Sequence, residues 1–168
     1  NTGYDLDVSM KAPETMVMAE RVKTRLPVPG PMDLTFRIEG DTQALKLNQI
    51  TLGAGTDDGI RIGAQGHMWF GDWDQTDPFK DMDLKLEAYT DSAALSQIVG
   101  KQIPDLGSLS AKAHFYTVSG KHQLDELLIQ TSEDGPLSAT VSGSVKHITF
   151  QPTLRARYRD IDLSVNVA

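Results

Sequence analysis

Asp5-Leu6-Asp7-Val8-Ser9-Met10, Asp81-Met82-Asp83-Leu84-Lys85-Leu86 and Asp160-Ile161-Asp162-Leu163-Ser164-Val165 read as one strand written three times. In extended chain, successive side chains point to opposite faces. Each copy therefore sets its two carboxylates on one face and its apolar residues on the other. The starts lie 76 and 79 residues apart, and other landmarks recur between them in the same order. Pro27 and Gly30 return as Pro104 and Gly107, and Leu47-Asn48-Gln49-Ile50 returns as Leu124-Asp125-Glu126-Leu127, both at an offset of 77. Asp58-Gly59 returns as Asp134-Gly135, and Gly66 as Gly143. Self-similarity at a fixed period marks a repeat architecture. Residues 1–80 form a first unit; residues 81–168 form a second unit and the opening strand of a third.

Each unit is mostly strand. Leu34, Phe36 and Ile38 alternate with polar residues, as do Ile60, Ile62, Ala64, Gly66, Met68 and Phe70. The second unit repeats this at Leu109/Ala111/Ala113/Phe115, at Leu137/Ala139/Val141/Gly143/Val145 and at Leu154/Ala156/Tyr158. The alternation slips once per unit, where Leu45 and Leu47 give way to Ile50 and Leu52, and Leu124 to Leu127 and Ile129. One extra residue that restores the apolar set to its face is a β-bulge, which bends and twists a sheet. Thr56-Asp57-Asp58-Gly59 and Ser132-Glu133-Asp134-Gly135 carry the Asp-Gly hairpin signal. One segment is helical: Asp91 caps Ser92 to Val99 and Gly100 ends it, with Ala94, Leu95, Ile98 and Val99 on one face. The matching stretch in the first unit is Glu14 to Lys23. The expected fold is mainly β: a curled antiparallel sheet, or groove, of two units with one short helix each.

Composition narrows the function. A chain of 168 residues buries roughly 70% of its unfolded surface and needs no staples. Sixteen Lys and Arg against 23 Asp and Glu give a net charge of −7, with no basic block. That excludes phosphate-backbone binding and a polybasic membrane patch. Cysteine is absent, so disulfides, thiolate metal sites and cysteine nucleophiles are excluded. No run approaches the ~18 apolar residues of a membrane helix, and no signal-peptide pattern is present. Asn1 stands just before a strand, which reads as a segment of a longer protein whose targeting signals and anchor lie elsewhere.

Chemistry-bearing motifs are sparse. Asp72-Trp73-Asp74-Gln75-Thr76-Asp77-Pro78 alternates carboxylates, but a calcium loop wants Gly at its sixth position and Glu at its twelfth, where Asp77 and Asp83 stand. It reads as a solvated connection. His67, His114, His122 and His147 show no metal-ligand spacing; His67 and His147 fall on the polar face. Ser138, Ser142 and Ser144 alternate as a polar strand face without a Gly-x-Ser-x-Gly elbow. Gly53-Ala54-Gly55 lacks the Lys-Ser/Thr of a phosphate loop. Trp69 and Trp73 flank Phe70 and mark either a contact site or partial burial at a strand end. No carboxylate pair has the context of a glycosidase cleft. No enzyme activity, cofactor or metal is expected.

The order of parts resembles the repeat of the AsmA-like family of bacterial envelope proteins. The likeness is best from Asp91 to Val165. It rests on Leu95, Gly100, Ile103-Pro104-Asp105-Leu106-Gly107-Ser108-Leu109, Leu124-Asp125-Glu126-Leu127, Gly143-Ser144-Val145 and Pro152-Thr153-Leu154. The first unit lacks the Gly before Leu26-Pro27 and has its own loop at Asp72 to Pro78. The resemblance implies a periplasmic protein tethered to the inner membrane through a segment not present here. It also implies a curled sheet with an apolar inner face, and a part in outer-membrane integrity and phospholipid movement between the membranes. Residues implied to line the lipid groove are Phe36, Ile38, Leu47, Ile62, Met68, Phe70, Leu84, Leu86, Phe115, Leu127, Val141, Val145, Leu163 and Val165. The implied partners are phospholipid or another acyl-chain lipid and envelope proteins. Read from the residues alone, the same stripe also fits the closed core of a structural or adhesive β-repeat module.

Overall fold

The computed structural model describes residues 3–13, 30–41, 44–56, 59–71, 79–132, 135–150 and 156–167. Among them, nine strands form one sheet in the order of the chain: β1 (Tyr4–Ala12), β2 (Met32–Gly40), β3 (Leu45–Gly55), β4 (Arg61–Phe70), β5 (Phe79–Asp91), β6 (Ser108–Val118), β7 (Lys121–Thr131), β8 (Ala139–Phe150) and β9 (Ala156–Val167). Every neighbouring pair is antiparallel, and β1 does not meet β9 to close a barrel. The single helix described, α1 (Ser92–Val99), follows β5. The 80/81 boundary falls inside β5, which pairs with β4 on one side and β6 on the other.

Local chemistry sets the element ends. The Ala94 N–H donates to Asp91 Oδ1 at 2.7 Å, so the N-cap satisfies one orphan donor of α1. Gly100 takes the left-handed conformation that stops the helix, with φ 67° and ψ 21°. Gly59 N–H donates to Thr56 O and Gly135 N–H to Ser132 O, tying the β3–β4 and β7–β8 connections. The Asp and Glu residues between them lie outside the described residues, as do Glu14 to Lys23, Asp72 to Pro78 and Pro152 to Leu154.

The register shifts at Leu47/Ile50 in β3 and at Leu124/Leu127 in β7, where the alternation slips. Gln49 and Glu126 take φ of 52° and 53° there, the left-handed conformation of an extra residue turned out of the ladder. The glycines Gly66 and Gly143 face the far side of these bulges, opposite Ile50 and Leu127. The expectation of one slip per unit is too few. The same two bulges shift the β2–β3 and β6–β7 ladders, and further shifts occur in the β4–β5 and β8–β9 ladders, with His147 and Asp160 at φ of 54°. At the latter two the apolar set changes parity as well, from Val145 to Ile148 and from Tyr158 to Ile161.

Candidate functional site: the apolar face of the sheet

Residues directly opposite in an antiparallel ladder project to the same face. Following partners across the sheet shows where each groove candidate lies. Ile38, Leu47, Met68 and Met82 form one cross-strand row. A second runs from Ile50 through Gly66, Leu84, Phe115, Leu124 and Val145 to Ile161. Leu52, Ala64, Leu86 and Ala113 make a third, and Leu127, Gly143 and Leu163 continue on its side. A fourth runs from Met32 through Ala54, Ile62, Ala88, Ala111, Ile129 and Val141 to Val165. Phe36 sits opposite Val8, and Phe70 opposite Phe79. All fourteen candidates share one face. Nine strands at the usual spacing carry that face roughly 40 Å along the sheet.

The face is packed at points near both strand ends and at Ile50 in the second row, and half-buried or exposed elsewhere. At one rim, buried Ala54 and Ile60 pack with Met32, Ile62 and Ala94, so α1 covers that end. Ser92 Oγ accepts from the Leu106 N–H at 2.7 Å and donates to Gly107 O at 3.2 Å, which fastens the segment after α1 to the helix start. At the other rim, Met82, His122 and Ile148 are buried. The Phe70 and Phe79 rings lie 5.1 Å apart, and His122 lies 6.3 Å from Phe79 and 6.4 Å from Phe115. Leu86 in the third row and Ile129 in the fourth are each 37% exposed, and on β9 Leu163 and Val165 are 54% and 64% exposed. Among the described residues no second sheet lies over this face: extended contacts run only between neighbouring strands and between α1 and β5.

His122 is the residue that the sequence reading missed. It is fully buried on the apolar face, with Nδ1 2.8 Å from Thr117 Oγ1. Thr117 Oγ1 also accepts from the Met82 N–H at 3.1 Å, so one hydroxyl joins β5, β6 and β7. The available signal was spacing, since His122 stands two residues before Leu124 and so shares its face.

The opposite face is a lattice of polar pairs. His67 Nε2 is 3.2 Å from Asp81 Oδ2, His114 Nε2 is 2.8 Å from Asp83 Oδ1, and His147 Nδ1 is 2.7 Å from Asp160 Oδ2. Arg37 Nε donates to Asp5 Oδ1 at 2.7 Å and a second guanidinium nitrogen bonds Oδ2. The repeated carboxylates thus clamp neighbouring strands. The Arg37 hydrogen bond holds the Asp5 carboxyl below its ordinary value, and Asp5 raises Arg37 in return. Tyr116 donates to Asp125 Oδ2 at 2.8 Å, and that bond raises the phenol. Trp69 lies on this face under Lys46 Nζ, 4.4 Å from the ring centroid, and is 37% exposed; it does not join Phe70. Trp73 lies outside the described residues. A hollow of about 320 Å³ is lined by Gly63, Lys85, Glu87, Lys112 and His114 among others. Among the described residues no three His, Asp or Glu side chains converge on a metal position, and no helix is long and apolar enough to cross a membrane.

No family model, curated protein or solved structure matches this chain.

Proposed function

We propose that this chain is a periplasmic stretch of an AsmA-like envelope protein. Its apolar sheet face would shelter phospholipid acyl chains passing between the inner and outer membranes. The observation that carries the reading is an apolar face that runs from β1 to β9, with Leu86, Ile129, Leu163 and Val165 exposed on it and no second sheet over it among the described residues. Two units build it, each contributing a bulge opposite a glycine, at Gln49 with Gly66 and at Glu126 with Gly143. Those bulges curl the sheet so that the apolar face becomes the inside of a trough. Each methylene moved out of water onto such a surface gains about 0.8 kcal/mol, so ten sheltered methylenes gain about 8 kcal/mol without any specific polar contact. The gain is the same at every row, which suits passage along the face better than capture at one point. The polar lattice on the other side keeps the strands in register and the outer surface wetted. The protein carries lipid without chemistry, and other envelope components set the direction.

The test is photocrosslinking in cells with the whole protein. A photoreactive residue at Leu86 or Phe115 is expected to capture phospholipid, and one at Lys85 or Tyr116, on the other face, is not. Capture of a protein layer at Leu86 and Phe115 in place of lipid would identify the closed structural module instead.

A further inference from the structure

We propose that the outer edge of β9 accepts one kind of strand. That strand runs antiparallel, with an aromatic residue opposite Leu163 and a donor side chain directed at Asp162. The inference does not depend on what the apolar face carries.

β5 shows how this strand type is used when both of its edges are filled. On the β4 side Leu84 faces Gly66, and on the β8 side of β9 the equivalent Leu163 faces Gly143. The inner edge of β9 is therefore occupied as β5's is. On β5's other edge Leu84 faces Phe115 and Asp83 faces Tyr116. On β1 the equivalent Val8 faces Phe36 and Asp7 faces Arg37. Two independent ladders place a phenylalanine at one position relative to the Asp-x-Asp strand. β9 presents the same position, and among the described residues no strand lies beside it.

Burial and charge point the same way. Met82, flanked on both sides, is 3% exposed, while its equivalent Ile161 is 50% exposed. The first carboxylate of β5 and of β9 is served from the preceding strand, Asp81 by His67 and Asp160 by His147, while Asp5 of β1 is served by Arg37 of β2. The second is served from the following strand, as Asp83 is by His114 of β6. Among the described residues no hydrogen bond or ion pair is recorded for Asp162. The occupant is thus a strand of β6 chemistry, with an aromatic knob and a histidine or arginine on its polar side. A second copy of the chain does not supply it. Among the described strands its outer edges are β1 and β9, whose aromatics, Tyr4 and Tyr158, stand at the strand beginnings.

The chain has no cysteine, so one introduced thiol is unique. Asn166→Cys occupies the position equivalent to Glu87, which faces Lys112. The probe is the peptide Ser-Leu-Ser-Ala-Lys-Ala-His-Phe-Tyr-Thr-Val (residues 108–118) with cysteine in place of its lysine, mixed with the full chain in a glutathione buffer. The mixed disulfide is expected at least tenfold above that of peptides whose cysteine is shifted by one residue. Replacing the peptide phenylalanine by alanine, or Asp162→Asn in the chain, is expected to lower capture several-fold. The residue 61–70 peptide, with cysteine in place of Gln65, is expected at the opposite edge, on Ser9→Cys, and not on Asn166→Cys. Three results would overturn the proposal: no capture of the 108–118 peptide, equal capture of both peptides at β9, or chain–chain disulfides through Asn166→Cys that outcompete the peptide.

Discussion

Gly66→Ala places a methyl group where the β4–β5 ladder has no room. An ideal Cβ on Gly66 lies 1.8 Å from Asp83 O, 2.8 Å from Asp83 C and 3.1 Å from Leu84 Cα. These are backbone atoms of an internal strand, so they cannot swing aside as a side-chain tip does. Gly66 also holds φ at +143°, a conformation that L side chains rarely adopt. To relieve the contact β5 must retreat by more than about 1 Å, which opens the two ladder hydrogen bonds beside the pair at about 1 kcal/mol each. Backbone strain adds about 1–3 kcal/mol. The sum is about 3–5 kcal/mol, a large share of the usual 5–15 kcal/mol for a domain (~10 in the middle of that range). With a urea slope of about 2 kcal/mol/M, the unfolding midpoint should fall by about 2 M. Gly53→Ala is the control: its Cβ would meet nothing within 4 Å, so its midpoint should move by less than about 0.3 M. Gly143→Ala should fall between the two. Its Cβ lies 2.2 Å from Asp162 O, but β9 is an edge strand and can yield outward. Equal midpoints for Gly66→Ala and Gly53→Ala would refute the close-approach argument and, with it, the role given to the glycine opposite each bulge.

Asp91→Ala removes the cap on the Ala94 N–H and should cost about 1 kcal/mol, read by chemical denaturation. It should also loosen the rim where Ala94 meets Ala54 and Ile60. The Asp5 carboxyl is held below its ordinary value by Arg37, so its contribution is present above the unfolded value of about 3.9 and disappears as pH falls through the lower folded value. A melting-temperature difference between the parent and Asp5→Asn should be visible at neutral pH and vanish in acid. The Tyr116 phenol is raised by its bond to Asp125, so its contribution is present below about pH 10 and is lost as pH rises through the higher folded value. Ultraviolet titration should show one tyrosine ionising earlier in Asp125→Asn than in the parent.

Much of the architecture was legible because its signals are local. Period-2 alternation assigns faces without reference to any partner strand, and the fourteen apolar candidates do fall on one face. The slips at Leu47 to Ile50 and Leu124 to Leu127 were legible because an apolar residue that changes parity leaves a visible mark. The displaced residues at His147 and Asp160 leave the same mark, from Val145 to Ile148 and from Tyr158 to Ile161, and both were passed over. Asp91 and Gly100 announced the helix ends because capping depends on single residues in known backbone states. The pairing of His67 with Asp81 and of His114 with Asp83 was hidden, because it depends on which strands lie side by side and in what register. His122 was left unplaced because its parity with Leu124 was not followed.

By itself the sequence determined which side of each strand is apolar, where the ladder bulges and where the helix begins and ends. Each is set by side-chain direction and backbone preference within a few residues. Only the tertiary structure decided that nine strands follow one another in a single sheet, that both rims are packed, and that no second layer lies over the middle among the described residues. The reason is that alternation specifies a face to be removed from water. What lies across that face is a contact between residues far apart in the chain, and the same stripe satisfies a closed core and an open trough equally well.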